Sequence, residues 1–201
     1  LEGEQVEVTI PVLKLKEVPL KFEFSNVPAG YDPAELNASI SPATIRIAGA
    51  ADTVDGIESV NAGFINLARV QLGKAETLKI QLSEGLVNVD DVQEATVTFD
   101  TSGYGEPRAI TVSDIRVVNA PSGVDVKVIT ESINNVTLVG EAEELAAISP
   151  SDVIAQVDAS AQNITVKGSG QQQFSAQIIV TGTKTVFATG AYSVLCDITV
   201  K

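Results

Sequence analysis

Hydrophobic and polar side chains alternate along most of this chain. In the segment 18–24, Val18, Leu20, Phe22 and Phe24 are separated by proline, lysine and glutamate. The same two-residue period recurs at 6–12, 78–82, 97–99, 124–128, 164–166 and 194–200. Because successive side chains of a strand point to opposite faces, this pattern predicts strands with one packed and one solvated face. Such faces are typical of antiparallel sheets, so we expect a mainly β fold.

Two segments, 50–60 and 141–148, do not follow this alternation. They are rich in alanine and acidic residues, and their apolar residues stand three apart: Val54 and Ile57 in one, Leu145 and Ile148 in the other. That spacing predicts a helix of two or three turns at most in each segment. The expected fold class is therefore mainly β with one short α-helix per repeat.

Each predicted helix follows a strand that ends in glycine, Gly49 or Gly140. A strand, a glycine and a helix N-terminus can cradle a phosphate. Acidic residues would surround that phosphate in both copies: Asp52 and Asp55 in the first, Glu141, Glu143 and Glu144 in the second. We therefore predict that both glycines form bends, and that the short helices close the core.

The two helical segments belong to a longer internal repeat. Ile45, Ile47, Gly49, Ala51, Val54 and Ile57 correspond to Val136, Leu138, Gly140, Ala142, Leu145 and Ile148 at a constant offset of 91 residues. Upstream, the turn at 25–32 corresponds to the one at 118–125, with an offset two residues longer. A diverged duplication is predicted, with repeat A at 17–104 and repeat B at 105–201. Residues 1–16 are expected to be the last strand of an upstream repeat, or a leader.

The charge balance excludes one class of partner. The chain has 13 basic and 26 acidic residues, for a net charge of −13. Such a surface repels the phosphates of nucleic acids and anionic lipid headgroups, so a nucleic-acid partner is not expected. The sequence also lacks a run of 18 apolar residues, so no membrane span is expected in it. It has no methionine, which suggests a piece of a longer protein, so any signal peptide or anchor would lie upstream.

Residue types needed for common catalytic centres are missing. The chain has no histidine and one cysteine, Cys196, which alternates in phase with Val194 and Ile198 and is expected to be a buried structural thiol. Triads and zinc sites are therefore not expected. Carboxylates remain, at Asp90 and Asp91 and at Asp52, Asp55 and Glu58, and they could serve acid–base hydrolysis or bind calcium. We prefer to interpret them as solvated residues, and we predict no catalytic, cofactor-binding or metal-binding residue.

The stretch 26–67 contains a pattern of turn, strand and helix residues. It consists of a turn with Pro28, Gly30 and Tyr31, and a strand lead-in with Pro42 and Thr44. It continues with Ile45, Ile47 and Gly49, a short helix ending at Ile57, and a strand at 65–67. The second copy is looser and keeps Pro121, Gly123, Val136, Leu138, Gly140 and Ile148. In this pattern the chain resembles the YbbR domain family.

The resemblance implies two tandem, small, mixed or antiparallel β-domains with no catalytic residues. It further implies a bacterial protein anchored in the membrane, with these repeats on the extracytoplasmic face. The expected function is non-enzymatic protein binding, with a membrane-bound diadenylate cyclase as a candidate partner, as in CdaR-type regulators of cyclic di-AMP synthesis.

The alternative is a stalk or adhesin spacer of Ig-like sandwich modules that bind cell-wall or surface ligands. Such modules have no internal helix, so helices at 50–60 and 141–148 would count against them.

Overall fold

A computed structural model describes residues 12–201. It contains fifteen strands and two α-helices within that range. The strands are β1 (Lys14–Ser25), β2 (Ala38–Ser41), β3 (Thr44–Gly49), β4 (Val60–Asn66), β5 (Glu76–Lys79), β6 (Val87–Asn88), β7 (Glu94–Phe99), β8 (Arg108–Val112), β9 (Asp114–Val118), β10 (Val124–Val128), β11 (Ile133–Gly140), β12 (Val153–Asp158), β13 (Ser169–Val180), β14 (Val186–Thr189) and β15 (Tyr192–Val200). The helices are α1 (Ala51–Asp55) and α2 (Ala142–Ala147). The predicted fold class, mainly β with short helices, is confirmed.

The described residues divide into two compact units. Unit 1 contains 12–23, 39–64 and 75–98, and unit 2 contains 24–38, 65–74 and 99–201. The strand predicted at 6–12 and most of the predicted segment 1–16 lie outside the described residues. Strand β1 runs without a break through residues 16 and 17. The repeat boundaries at 16 and 104 stay predictions.

Unit 1 is built on a sheet with the order β4-β1-β3-β6. Strands β1 and β3 are antiparallel, with Val18 opposite Ile45. The side chains of Val18 and Leu20, two residues apart on β1, face the core and are almost fully buried. Ile45 and Ile47 of β3 are buried in the same way. A second sheet, β2-β7-β5, adds Ala95 to the core.

Unit 2 contains a three-stranded sheet, β14-β11-β8, and a five-stranded sheet, β10-β15-β13-β12-β9. The pair β9 and β12 is parallel, while β12 and β13 are antiparallel, so the larger sheet is mixed. Its core includes the fully buried Cys196, as the alternation in the sequence predicts. Burial raises the pKa of this thiol, which suits a structural role.

The order of elements in unit 1 recurs in unit 2. Strand β3 leads into α1 and β4 as β11 leads into α2 and β12. Strand β1 pairs with β3 and with β4; in unit 2 the equivalent strand is divided, so that β8 pairs with β11 and β9 pairs with β12. This recurrence supports a duplicated unit.

Both helices form where the spacing predicts them, but they are short. They have five and six residues, so each makes little more than one turn. Val54 and Leu145 are buried, and Ile148 is 7% exposed, so the apolar residues do cover the core. Helical turns in both places count against the Ig-like alternative. None of the helices formed by residues 12–201 has the length and apolar character needed to cross a bilayer.

The strand predicted at 164–166 is wrong. These residues are irregular, although Ile164 and Val166 pack against the core of unit 2. The side chain of Gln172 explains the difference. Its Oε1 accepts from the backbone N of Thr165 at 2.9 Å, and its Nε2 donates to the carbonyl of Asn163 at 2.6 Å. Backbone groups that would bind a neighbouring strand are therefore satisfied by a side chain.

Candidate interaction surface

The adjacent carboxylates Asp90 and Asp91 each hold a local structure. Asp90 accepts hydrogen bonds from the backbone N and the Nε of Arg46, both at 2.7 Å, and so fastens the loop after β6 to β3. These bonds lower the pKa of Asp90. Asp91 has a left-handed backbone (φ 53°) and accepts from Nε2 of Gln93 at 2.8 Å. The two carboxylates therefore act separately in shaping one turn.

The acidic residues of the two short helices are also accounted for by local structure. In unit 1, Asp55 forms an ion pair with Lys14, while Asp52 and Glu58 are exposed. In unit 2, Glu144 accepts from the hydroxyls of Thr183 and Thr185, which lower its pKa. Glu141 and Glu143 are exposed. Within residues 12–201, no group of three or more histidine, cysteine or acidic residues is placed to hold a metal ion.

Two basic residues that the sequence interpretation did not single out bind the helix C-termini. In unit 1, Nζ of Lys16 donates to the carbonyls of Ile57 at 2.6 Å, Asp55 at 3.2 Å and Val54 at 3.4 Å. Helix C-termini present carbonyls without intrahelical partners and carry a negative partial charge, so a cation there is favourable. Lys16 thus fixes α1 over the core of unit 1.

Arg108 does the same in unit 2. Its Nη1 donates to the carbonyls of Leu145 at 3.2 Å and Ile148 at 2.8 Å. Lys16 lies opposite Ile47 on β3, and Arg108 lies opposite Leu138 on β11. These partners are equivalent at the offset of 91 residues. The signal was present in the sequence, but Lys16 falls in the segment assigned to 1–16.

We expect that Lys16→Met weakens the closure of α1. Methionine keeps the apolar stem but cannot donate to the three carbonyls, and hydrogen bonds to charged groups contribute about 1.5–3 kcal/mol. Hydrogen exchange of the Val54 and Ile57 amides, followed by NMR, should accelerate about tenfold or more. Lys21→Met is the control, because Lys21 is exposed on the same strand. Equal exchange in both variants would contradict the role of Lys16.

Unit 1 exposes an apolar stripe on the outer face of its sheet. Leu15 of β1 lies opposite Ala48 of β3, and Ala48 lies opposite Val87 of β6, so the three side chains stand side by side. Leu15 is 54% exposed and Val87 is 51% exposed. Val89 follows on the same face, and the backbone N of Val89 donates to the carbonyl of Arg46 at 2.9 Å. We call the exposed residues Leu15, Val87 and Val89 the outer stripe; Ala48, which lies between Leu15 and Val87, is only 8% exposed.

The outer stripe has a polar rim in which one ion pair is already formed. Arg46 is bound to Asp90, and Oε1 of Glu17 accepts from the hydroxyl of Thr44 at 2.6 Å. Contiguous exposed apolar side chains bordered by polar residues are typical of protein interaction sites. The outer stripe can therefore bury apolar area against a partner, and Arg46 on its rim would enter the interface with its charge already paired to Asp90.

Each unit thus combines small β-sheets with a short helix that covers the core, and unit 1 also leaves apolar residues exposed on an outer sheet face. Residues 18–113 match the family model described as YbbR-like protein. This match confirms the resemblance seen in residues 26–67, and the segment 18–113 is a YbbR-like domain. For the residues after 113, membership of the same family stays a prediction.

Two solved structures can be aligned with the chain. The solution structure of SuR18C from Streptococcus thermophilus covers 45% of this chain and 89% of its own, at 20% identity and a TM-score of 0.35. The crystal structure of a YbbR-like protein from Streptococcus pneumoniae TIGR4 covers 99% of both chains, at 18% identity and a TM-score of 0.34. At these TM-scores neither superposition bears on function. No curated protein sequence matches the chain significantly.

Proposed function

We propose that the chain is a non-enzymatic, extracytoplasmic repeat segment of a membrane-anchored bacterial protein, and that it acts by binding another protein. The observation that carries the proposal is the outer stripe of unit 1. Leu15 and Val87 are half exposed on a flat sheet face, where burial against a partner would remove apolar surface from water. The carboxylates, in contrast, serve turns and helices.

The partner we propose is a membrane-bound diadenylate cyclase. This part of the proposal is supported by the YbbR-like family of residues 18–113 and by what that family implies about location. A protein held at the outer membrane face can reach only partners that expose a surface there. Binding at the outer stripe would then change the rate of cyclic di-AMP synthesis without a catalytic residue in this chain.

The test uses the full-length protein in its own cells. We expect the cyclase to co-purify with the wild type and to be lost with the double variant L15E,V87E, because two carboxylates on the stripe cannot be buried without large desolvation. Cyclic di-AMP should change in the same variant. The control is Ile129→Glu, which adds a charge at a 40% exposed residue of unit 2.

Failure to recover the cyclase with the wild type, or equal recovery with L15E,V87E, would overturn the proposal. Both variants must first melt as the wild type does, which is expected because the substituted side chains are exposed. An epitope added at Lys201 should be digested by protease in intact protoplasts. Protection of that epitope would contradict the extracytoplasmic location.

A further inference from the structure

Unit 2 contains an open cavity of about 530 Å³ that no role described above uses. This volume lies in the range of small-molecule and peptide sites. Its apolar floor is formed by Pro28, Ala176, Ile178 and Ala188, all of which are buried. The half-buried ring of Tyr192 stands beside this floor. The cavity therefore offers an apolar base with one aromatic wall.

The wall is held rigidly. The hydroxyl of Tyr192 donates to the carbonyl of Thr189 at 2.5 Å and accepts from the backbone N of Thr137 at 2.9 Å. Gly190 makes room for it, because a Cβ on Gly190 would lie 2.7 Å from the Tyr192 hydroxyl. Gly190 also has a φ of +120°, which other residues adopt only with strain. The Tyr192 hydroxyl already donates one hydrogen bond and accepts another within the protein, so the face of the ring is the part of Tyr192 that a ligand can contact.

Carboxamides surround the mouth of the cavity: those of Asn26, Asn66, Gln156, Gln162 and Gln177. Gln162 is used internally, since it donates to the carbonyl of Asp158 at 3.2 Å and accepts from the backbone N of Ser175 at 3.2 Å. The side chains of Asn26 and Gln156 make no hydrogen bond within residues 12–201. Each carboxamide can donate and accept at once, which is the pairing that a peptide group requires.

Arg69 supplies the one positive charge of the cavity lining. Its backbone N donates to the carbonyl of Asn66 at 3.0 Å, and the neighbouring Ala68 carbonyl accepts from the N of Gly190 at 2.6 Å. The position of the residue is thus set by the turn, whereas its side chain is exposed. In the described part of the chain, the guanidinium of Arg69 has no carboxylate or carbonyl partner. The other three arginines each have one.

We propose that this cavity binds a short peptide with a free C-terminal carboxylate. The guanidinium of Arg69 takes the carboxylate through a two-pronged, charge-assisted hydrogen bond. The carboxamides of Asn26 and Gln156 bind the last peptide group, and the terminal side chain rests on the floor beside Tyr192. The result is capture of one peptide end, a recognised mode of peptide binding.

The charge of the cavity selects this class of ligand over others. Asp158 also lines the cavity, and its carboxylate is kept ionised by Ser160 and Asn119, which lower its pKa. A multiply charged phosphate ligand would be repelled by Asp158 and by the net charge of −13. A neutral saccharide could accept hydrogen bonds from Arg69 but would leave its positive charge uncompensated. A peptide carries one carboxylate and many polar, uncharged groups, which fits both observations.

The experiment is an NMR titration of the ¹⁵N-labelled chain with the tripeptide Ala-Ala-Ala. We expect saturable shifts of the Ala68, Gly190 and Ala191 amides. Arg69→Gln should weaken binding about tenfold or more, while Lys74→Gln should not, because Lys74 is an exposed cation of the same unit outside the cavity. Ala-Ala-Ala-amide should bind about as weakly to the wild type as the free peptide binds to Arg69→Gln.

Three results would overturn the proposal. They are the absence of saturable shifts, equal affinity for the free and amidated peptides, and equal effects of Arg69→Gln and Lys74→Gln. Saturable binding of N,N′,N″-triacetylchitotriose at the same amides, with no response to the peptide, would also overturn it. Arg69→Gln is expected to melt as the wild type does, because the guanidinium has no hydrogen bond or ion pair within residues 12–201 that it could lose.

Discussion

Replacement of Gly140 by alanine is expected to lower the unfolding free energy of unit 2 by about 3 kcal/mol, at the upper end for overpacked sites. A Cβ on Gly140 would overlap the carbonyl oxygen of Thr185 and would lie 2.7 Å from Cα of Val186. Both atoms belong to backbone, and Val186 is paired with Gly140 across β11 and β14. The conflict cannot be relieved by rotation of a side chain, so the strands must separate.

Tyrosine fluorescence during urea unfolding measures this effect, because all three tyrosines of the chain lie in unit 2: Tyr31, Tyr104 and Tyr192. The control is Gly170→Ala in β13. Its Cβ would lie 3.2 Å from Cγ1 of Val166, a side chain that can move. We expect a change of less than about 1 kcal/mol there, since alanine suits a strand better than glycine does. A midpoint for Gly140→Ala equal to that control would contradict the steric argument.

Gly49, the equivalent residue of unit 1, is expected to be more tolerant. A Cβ on Gly49 would lie 3.0 Å from the carbonyl oxygen of Gly85 and 3.0 Å from Cδ2 of Leu86. These contacts are tight, yet they leave more space than the contacts of Gly140. The two glycines therefore occupy equivalent positions in the two units, but a Cβ would have more space at Gly49 than at Gly140.

The second large effect is expected for Phe187→Ala, which should destabilise unit 2 by about 3–5 kcal/mol. The Phe187 side chain is fully buried, and its ring centroid lies 4.4 Å from that of Tyr31. Removal of the ring leaves a cavity beneath Tyr31, whose own pKa is raised mainly by burial. The loss therefore combines transfer energy, the cavity and the aromatic contact.

Phe64→Ala is the matched control, because the same atoms are removed from a side chain that is 62% exposed. We expect a change within about 0.5 kcal/mol for Phe64→Ala. Far-UV circular dichroism during urea unfolding follows both variants, and tyrosine fluorescence adds a separate record for Phe187→Ala. Similar midpoints for the two variants would show that Phe187 does not stabilise the core as its burial implies.

The sequence was sufficient to predict what depends on local patterning. Alternation located β1, β10 and β15, and the spacing of Leu145 and Ile148 located α2. Burial of one face of an element gives its apolar residues a regular spacing in the sequence, and that spacing differs between strands and helices. The same rule failed at 164–166. There Gln172, seven residues from Thr165 and nine from Asn163, supplies the hydrogen bonds of a strand neighbour, and alternation alone cannot reveal such a substitute.

Features assembled from distant parts of the chain could not be predicted in the same way. Arg69 and Tyr192 line one cavity although more than 120 residues separate them. The outer stripe depends on the register that sets Leu15 beside Ala48 and Val87, and register is a property of strand pairing. The role of Arg108 could have been suspected from the repeat, because Arg108 lies one residue after the position that corresponds to Lys16 at the offset of 91. Its carbonyl partners, however, are defined only by the three-dimensional structure.

The way in which Lys16 and Arg108 hold the helices has a consequence for how the fold responds to acid. Their acceptors are backbone carbonyls, which do not gain a proton as the pH of the medium falls. The clamp between Asp90 and Arg46 behaves differently. Its stabilisation is present above the ordinary carboxyl pKa and is lost as pH falls through the lowered pKa of Asp90. A fall in pH would therefore loosen the turn after β6, whereas the carbonyl acceptors of Lys16 and Arg108 are unchanged by it.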